Sequence, residues 1–254
     1  MSNTARHLVV VATVVLFVTA ANAQSPWDAI KQKIQGMKPG TTVNQLSNDK
    51  VIAGLKEALQ IGTGNAVAAT GHTDGFFKNE AIKILVPEKL RSAGRALRMV
   101  GMGGQVDALE LGMNRAAEQA TPQAKQIFLR AVSNMTIADA KGILTGGDTA
   151  ATDYFRKQSS AELTTTFAPI VHNSMENVGV VRQYNQIMNN RMAAALANDR
   201  NFNLDNYVVG KTMDGLFYML GEEEKKIRKD PAAQVTSLLK EVFGAAAREK
   251  QPAR

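Results

Sequence analysis

The sequence contains no cysteine, three histidines and one tryptophan among its 254 residues. Without cysteine the chain cannot form disulfides, carry a lipoprotein anchor, or supply the thiolates of most structural zinc sites. Only His72 and His172 remain after position 23, so the ligands for covalently attached haem or a histidine-rich metal site are missing. Stability must therefore come from packing, since a domain of this length buries roughly 70% of its unfolded surface.

Long apolar runs are also scarce, and the clearest one lies at the N-terminus. Residues 8–21 follow Arg6 and lead to Ala21-Asn22-Ala23, which matches the small-x-small pattern for signal peptidase. The run is shorter than the ~20 apolar residues of a membrane-spanning helix. We therefore expect residues 1–23 to be a cleaved signal peptide, leaving a periplasmic chain that begins at Gln24 and has no transmembrane helix. The alternative is an uncleaved N-terminal anchor.

The charge balance is only modestly basic. The net charge of the whole chain is +7, and one positive charge leaves with Arg6. Nucleic-acid binders concentrate basic residues on one face, whereas here acids and bases alternate, as in the segment 222–229. Glu224 and Arg228 lie four positions apart, a spacing typical of a solvated helix face. The sequence therefore does not predict a nucleic-acid partner.

From residue 47 onward, apolar residues recur at intervals of three and four, the pattern of amphipathic helices. The predicted helices span 48–70, 87–100, 104–120, 122–134, 136–145, 148–178, 180–198, 204–229 and 231–243. Short connections favour antiparallel neighbours. The predicted fold is all-α, a compact bundle or array of about eight or nine helices without a substantial sheet.

The domain layout follows from the same pattern. We predict a single helical domain over 47–244 and a disordered tail over 245–254. Residues 24–46 are predicted to form a short helix and a linker. The apolar side of that helix is suited to docking on the domain or lying on a membrane surface.

Two segments interrupt the helical pattern. The run Ile82–Val86 has strand-like composition, but no second such run could pair with it, so we predict an extended connector or a short helix. Pro169 lies inside the predicted helix 148–178 and is expected to kink or divide it.

A polar stripe on the helix 104–120 is the first candidate site. It is formed by Asp107, Glu110, Asn114, Arg115 and Glu118. Carboxylates beside a buried face can bind a cation or acquire the raised pKa of an acid-base catalyst. Ion pairing with a neighbouring helix explains the same residues.

The second candidate is a glycine-rich turn before the helix 148–178. Backbone N–H groups at such a helix start can bind an anion. Alternatively, the first glycine ends one helix and the aspartate caps the next. The residues of this candidate site are Gly146, Gly147, Asp148, Thr149, Asp153 and Arg156.

Other motifs give no support for a cofactor. His172 precedes Glu176 by four residues, a spacing that permits a shared metal or a proton relay, and a surface or core histidine with satisfied hydrogen bonds is the structural alternative. Gly210-Lys211-Thr212 ends like a phosphate-binding loop, but Asp205 occupies the position where that motif requires glycine. No metal and no cofactor are predicted.

Three segments are similar to a known family. They are NRAAEQATPQAK (114–125), ILTGGDTAATDYFRK (143–157) and DGLFYMLGEEEKKIRKDPAAQ (214–234). Together they resemble an uncharacterised bacterial family, domain of unknown function 4197, over about residues 51–244. The resemblance implies export. It implies no catalytic or binding residues, because the family has no established activity.

The leading functional hypothesis is an exported, non-enzymatic helical protein that acts by binding or interaction. One alternative is a carrier that holds an apolar ligand or lipid between its helices, for which a closed apolar cavity above about 300 Å³ is needed. Another is an envelope hydrolase or metal-dependent enzyme, which requires the carboxylates of the two candidate sites to converge on one cleft. The sequence identifies no partner, and an envelope protein and an apolar ligand are the two candidates.

Overall fold

The computed structural model describes residues 48–177, 179–189 and 202–229. These residues form eight α-helices and one 3-10 helix, with no strand among them, so the predicted all-α class is confirmed. The helices are α1 (Asn48–Thr70), α2 (Glu88–Met99), α3 (Gly103–Ala120), the 3-10 helix Thr121–Gln123, α4 (Ala124–Ser133), α5 (Ile137–Thr145), α6 (Ala150–Asn177), α7 (Val180–Asn189) and α8 (Leu204–Lys229).

The predictions for 1–46, 231–243 and the tail 245–254 lie outside the described residues, as do residues 190–198 of the predicted helix 180–198. Among the helices that are described, none is both long enough and apolar enough to cross a bilayer.

The two long helices α6 and α8 pack against each other along much of their length. Helix α6 also contacts α3, and α8 also contacts α1. Phe155, Leu163, Phe167 and Val171 of α6 are all fully buried. Their spacing of four or eight residues places them on one helical face, so the periodicity of the sequence leads directly to this arrangement.

Aromatic side chains from three helices meet in the core. The rings of Phe128 in α4 and Phe155 in α6 lie 5.0 Å apart in an edge-to-face arrangement. The ring of Phe217 in α8 lies 6.0 Å from that of Phe128. Such pairs add about 0.5–1.5 kcal/mol beyond the burial of their area, and they tie together helices that are distant in sequence.

Helix α6 continues through Pro169 without a break, so the expected division of this helix is wrong. The missing N–H of proline removes one backbone hydrogen bond. Phe167 and Val171, on either side of Pro169, are both completely buried. Because both halves of the helix are anchored in the core, the loss of one hydrogen bond does not separate them.

Residues 71–87 connect α1 to α2 without regular structure. Ile82–Val86 lies in this segment as an irregular connector, and the short-helix alternative is wrong. Its last four residues, 83–86, form no turn. Helix α8 approaches this segment closely at Gly215, where an added Cβ would lie 2.6 Å from Cε1 of Phe76 and 3.1 Å from Cβ of Ile82. Glycine at position 215 therefore lets the loop and the helix touch.

Candidate functional site

Asn114, from the first candidate site, holds the connector against α3. Its side chain is fully buried. Its Oδ1 accepts a hydrogen bond from the Ile84 N–H at 2.8 Å, and its Nδ2 donates to the Ile84 carbonyl at 2.8 Å. Nδ2 also donates to the Glu110 carbonyl. One amide side chain thus satisfies both backbone groups of Ile84, as a neighbouring strand would.

Glu118 and Arg115 hold the first half of the same loop. Oε1 of the buried Glu118 carboxylate accepts hydrogen bonds from the N–H groups of Phe76 and Phe77, at 3.0 and 3.1 Å. The Arg115 guanidinium donates to Oε2 of Glu118 and to Oδ1 of Asp74, both at 2.6 Å. Glu118 and Arg115 therefore connect α3 to three residues of the loop.

Charge pairing in this network changes two pKa values. Hydrogen bonds from Lys78 and then Arg115 lower the pKa of Asp74 below its usual range. The hydrogen bond to Glu118, followed by the one to Asp74, raises the pKa of Arg115. Each charged form is thus stabilised by an opposite charge. Neither shift brings its group closer to neutral pH, where acid-base catalysts work.

The other two acids of the stripe also form ion pairs. Asp107 pairs with Arg98 of α2 at 2.6 Å, and Glu110 pairs with Lys83 of the connector at 3.0 Å. The stripe therefore contacts α2 at one end and the loop 71–87 along the rest. Ion pairing with neighbouring segments accounts for the charged residues of the stripe. Most of their partners lie in the loop 71–87, whereas the sequence predicts a neighbouring helix.

At the second candidate site, the start of α6 is bound by a residue from a distant helix. Glu224 of α8 accepts hydrogen bonds from the N–H groups of Ala151 and Thr152 at 2.9 and 2.8 Å, and from the Thr152 hydroxyl at 2.8 Å. A carboxylate is favoured at a helix N-terminus by the exposed N–H groups and the helix dipole. The anion at this helix start is therefore part of the chain.

Glu224 corrects the prediction of a solvated pair with Arg228. The two side chains do pair, at 2.7 Å, but they are only 7% and 10% exposed. Arg228 also donates to the Ile143 carbonyl at 2.8 Å. Glu224 follows the buried Leu220 by four residues and precedes the buried Ile227 by three. That spacing places it on the apolar face and was the signal in the sequence.

The remaining residues of the glycine-rich turn make separate contacts. Asp148 pairs with Lys229 at 2.5 Å. The Thr149 hydroxyl lies 3.4 Å from Oδ2 of Asp153.

The two glycines of the turn differ in their surroundings. Gly146 ends α5 as predicted. A Cβ at Gly146 would lie 2.5 Å from Cβ of Ala150, so the tight turn explains that glycine. Gly147 is exposed.

Arg156, the last residue of this candidate site, lies on α6. Its guanidinium stacks 4.5 Å from the centre of the Phe217 ring and lies 4.0 Å from Asp214. Both partners belong to α8. Arg156 thus contributes to the packing of two helices, and the structure does not bring the two candidate sites together on one cleft.

His172 joins α6 to α8. Its Nδ1 lies 2.7 Å from Oδ2 of Asp205, and its Nε2 lies 3.6 Å from Oε1 of Glu176. The hydrogen bond with Asp205 is the main reason that the pKa of His172 is raised. Within the described part of the chain, no group of three or more histidines or carboxylates is arranged to hold a metal ion.

Two spaces between the described elements differ in size and lining. An apolar cavity between α1, α5, α6 and α8 has a volume of about 20 Å³, close to that of one water molecule. An open cleft of about 420 Å³ lies where the connector meets α2 and α8, and Leu85, Arg91, Tyr207 and Tyr218 are among its lining residues. Tyr207 donates a hydrogen bond to the Leu85 carbonyl there. Neither of these two spaces is a closed apolar cavity above about 300 Å³, which a carrier needs.

Sequence reasoning missed an exposed surface on α2, which we call the α2 surface and define as Arg91, Arg95, Arg98, Met99 and Val100. All five residues are exposed, Met99 to 82% and Val100 to 54%. The arginine spacing of four and three residues places the three cations on one helical face. That spacing is visible in the sequence.

Comparison with known proteins places the chain in a family. Searches of curated proteins and of solved structures each found no match. A family model described as "Protein of unknown function (DUF4197)" matches residues 45–244, which is more than half of the chain and covers all three segments that carried the resemblance. The chain therefore belongs to this family of proteins of unknown function.

Proposed function

We propose that the protein is an exported, non-enzymatic binding protein of the bacterial cell envelope, and that the α2 surface is its contact surface. The observation that carries this proposal is a difference between two sets of polar residues. Those on α3 and at the start of α6 bind parts of the same chain. The arginines of α2 are exposed beside exposed apolar side chains, and the ion pairs of Arg91 and Arg98 also lie on the surface.

The first set has little capacity left for chemistry. Asn114, Glu118 and Glu224 are buried, and each makes hydrogen bonds to backbone groups. A general acid or base needs a position within reach of a substrate. Groups already engaged with the backbone of the loop and of α6 support a structural role over a catalytic one.

The second set is suited to a partner. Charged and apolar side chains exposed together are typical of interaction surfaces. A second cleft of about 240 Å³ runs beside Arg91, Arg95 and Arg98 and shares Leu85 and Val86 with the cleft at α8. The α2 surface thus adjoins a concave region in which a bound molecule gains additional contacts.

Export is the second element of the proposal, and it rests on the N-terminal segment. Fractionation of cells followed by intact-mass measurement tests it directly. We expect the periplasmic protein to begin at Gln24. Recovery from the cytosol with Met1 and residues 2–23 intact would contradict export.

Binding is tested by native mass spectrometry and size exclusion of the chain isolated from the envelope. We expect the wild-type chain to retain a bound molecule, and Arg91→Gln/Arg95→Gln/Arg98→Gln to lose it. Arg130→Gln is the matched control, because Arg130 is also exposed and ion-paired, with Glu162, but lies on α4. Equal retention by the triple variant would overturn the proposal, as would a wild-type chain that retains no molecule from the envelope and also binds no lipid vesicles.

A further inference from the structure

We infer that the α2 surface docks on an anionic phospholipid surface, with Met99 and Val100 entering the lipid interface. This inference rests on the proposed function, because it assigns a partner to the same surface. It concerns a peripheral contact by the turn between α2 and α3.

The apolar end of the α2 surface projects from the domain. Met99 and Val100 are exposed, whereas Met113 is completely buried. Gly101 has a φ of +77° and reverses the chain immediately after them. A Cβ at Gly101 or Gly104 would meet no atom within 4 Å. The two large apolar side chains therefore lie exposed at a turn, with space beside Gly101 and Gly104.

The arginines lie behind this apolar end at successive turns of the helix. With a rise of about 1.5 Å per residue, Arg95 stands about 6 Å from Met99 along the axis, and Arg98 is adjacent. Apolar side chains of peripheral proteins enter roughly 5–10 Å into the boundary between headgroups and acyl chains. When the C-terminal end of α2 points at the bilayer and Met99 and Val100 are inserted, Arg95 and Arg98 therefore lie at the level of the lipid phosphates.

The arginines retain capacity to bind phosphate. Arg95 lies 3.4 Å from the Ser92 hydroxyl and has no ion pair among the described residues. Arg98 pairs with Asp107, and Arg91 pairs with Glu88, each through Nη2. A guanidinium has five N–H donors, and exposed ion pairs contribute little in water. Each arginine can therefore engage a phosphate oxygen, singly or bidentately.

The shape of this region favours a lipid surface over a protein partner. A projecting pair of apolar side chains needs either a complementary pocket or a soft apolar medium. A bilayer interface supplies the second without shape matching, and its anionic headgroups match the charge of the arginines. Exposed Ile137 at the start of α5 lacks this combination, since the nearby Asp139 is acidic.

Single-cysteine labelling tests insertion, because the natural chain has no cysteine to interfere. Met99→Cys and Ile137→Cys, each labelled with the environment-sensitive dye NBD, are titrated with vesicles of phosphatidylcholine alone or mixed with phosphatidylglycerol. We expect a blue shift and increased emission only for the label at position 99 and only with the anionic vesicles. The same response at both positions, or none at position 99, would overturn the inference.

Flotation with the same vesicles measures how strongly each variant binds the anionic lipid. Each arginine near an anionic surface strengthens binding by about 1 kcal/mol, or roughly five-fold. Arg95→Gln/Arg98→Gln should therefore weaken binding about 25-fold, and Met99→Ser/Val100→Ser should also reduce it. Arg130→Gln and Ile137→Ser are the controls and should bind as wild type does. Circular dichroism verifies that each variant is folded.

The two proposals fail in different ways. If the wild-type chain ignores both vesicle types but retains a soluble envelope protein through Arg91, Arg95 and Arg98, the lipid inference is wrong and the proposed function stands. If vesicles bind and the arginine and apolar variants bind equally well, the α2 surface is not the contact and the inference is wrong. If the wild-type chain binds neither vesicles nor soluble envelope proteins, both proposals are wrong.

Discussion

Thr152, in the first turn of α6, donates hydrogen bonds from its N–H and its hydroxyl to the same oxygen of Glu224, each at 2.8 Å. The two residues are 72 positions apart in sequence. The same carboxylate group contacts Arg228, which binds the Ile143 carbonyl at the end of α5. One buried acid therefore joins the end of α5 and the start of α6 to α8.

Replacing this acid should destabilise the fold strongly. Glu224→Gln keeps the shape but loses the charge that Arg228 and the start of α6 require. We expect the free energy of unfolding to fall by about 2–4 kcal/mol, as for other broken buried pairs. Glu222→Gln is the control, because its pair with Lys225 is half exposed and should change stability by less than about 0.5 kcal/mol. Urea unfolding followed by circular dichroism measures both, and equal effects would refute this role of Glu224.

The loop 71–87 should depend on Asn114. Asn114→Ala leaves the N–H and carbonyl of Ile84 without their partner, so we expect a loss of about 2–4 kcal/mol. Hydrogen exchange at the Ile84 amide should accelerate more than exchange in the core of α6. Asn134→Ala, at an exposed helix end, should leave that exchange unchanged. Undiminished protection of Ile84 in the Asn114 variant would show that the amide does not hold the connector.

Two glycines of α8 should respond in opposite directions. Gly215→Ala forces a Cβ into Phe76 and Ile82, and overpacking of this kind costs about 1–3 kcal/mol. Gly210→Ala meets no atom within 4 Å and should stabilise the helix by about 0.5–1 kcal/mol. Thermal unfolding of the two variants distinguishes them. A neutral Gly215→Ala would mean that the loop and α8 are not in close contact.

The pair formed by His172 and Asp205 predicts a pH dependence. The pKa of His172 is raised in the folded state, whereas in the unfolded state the histidine pKa is near 6.5. The folded state therefore binds the proton of this imidazole more tightly than the unfolded state does. The stabilisation is therefore complete below about pH 6.5 and is lost as the pH rises through the raised value. Asp205→Asn should lower the pKa of His172 in an NMR titration.

Unfolding measurements provide a second test of this pair. The difference in unfolding free energy between wild type and Asp205→Asn should shrink from acidic to alkaline pH. Glu176, the other acid near His172, remains in both proteins and so does not produce this difference. A difference that grows with pH would contradict the assignment.

Local periodicity was sufficient to predict most helices. The predicted span 48–70 matches α1, and 204–229 matches α8, residue for residue. In each, apolar residues recur at helical spacing, so the local signal and the packing agree. Pro169 is the exception, since tertiary burial on both sides of it outweighs the local tendency of proline to break a helix.

The identity of contact partners was not available from local patterns. The sequence places Asn114 and Glu118 in a polar stripe, but their contacts with Ile84, Phe76 and Phe77 follow from how the loop folds back on α3. The charged neighbours of Glu224 predict an exposed helix face, and this prediction is wrong. The spacing of Glu224 from the neighbouring apolar residues of α8 indicates burial instead. The start of α6 supplies the N–H groups that make burial of this charge favourable.

The α2 surface should be the region through which the protein contacts a lipid or a protein partner. Hydrogen–deuterium exchange of the chain from Gln24 onward, with and without a cell-envelope fraction that holds both the membranes and the soluble envelope proteins, tests this most directly. We predict new protection confined to α2 and the turn through Gly104, with α5 unchanged. Protection centred on any other described helix, or none at all, would contradict the claim.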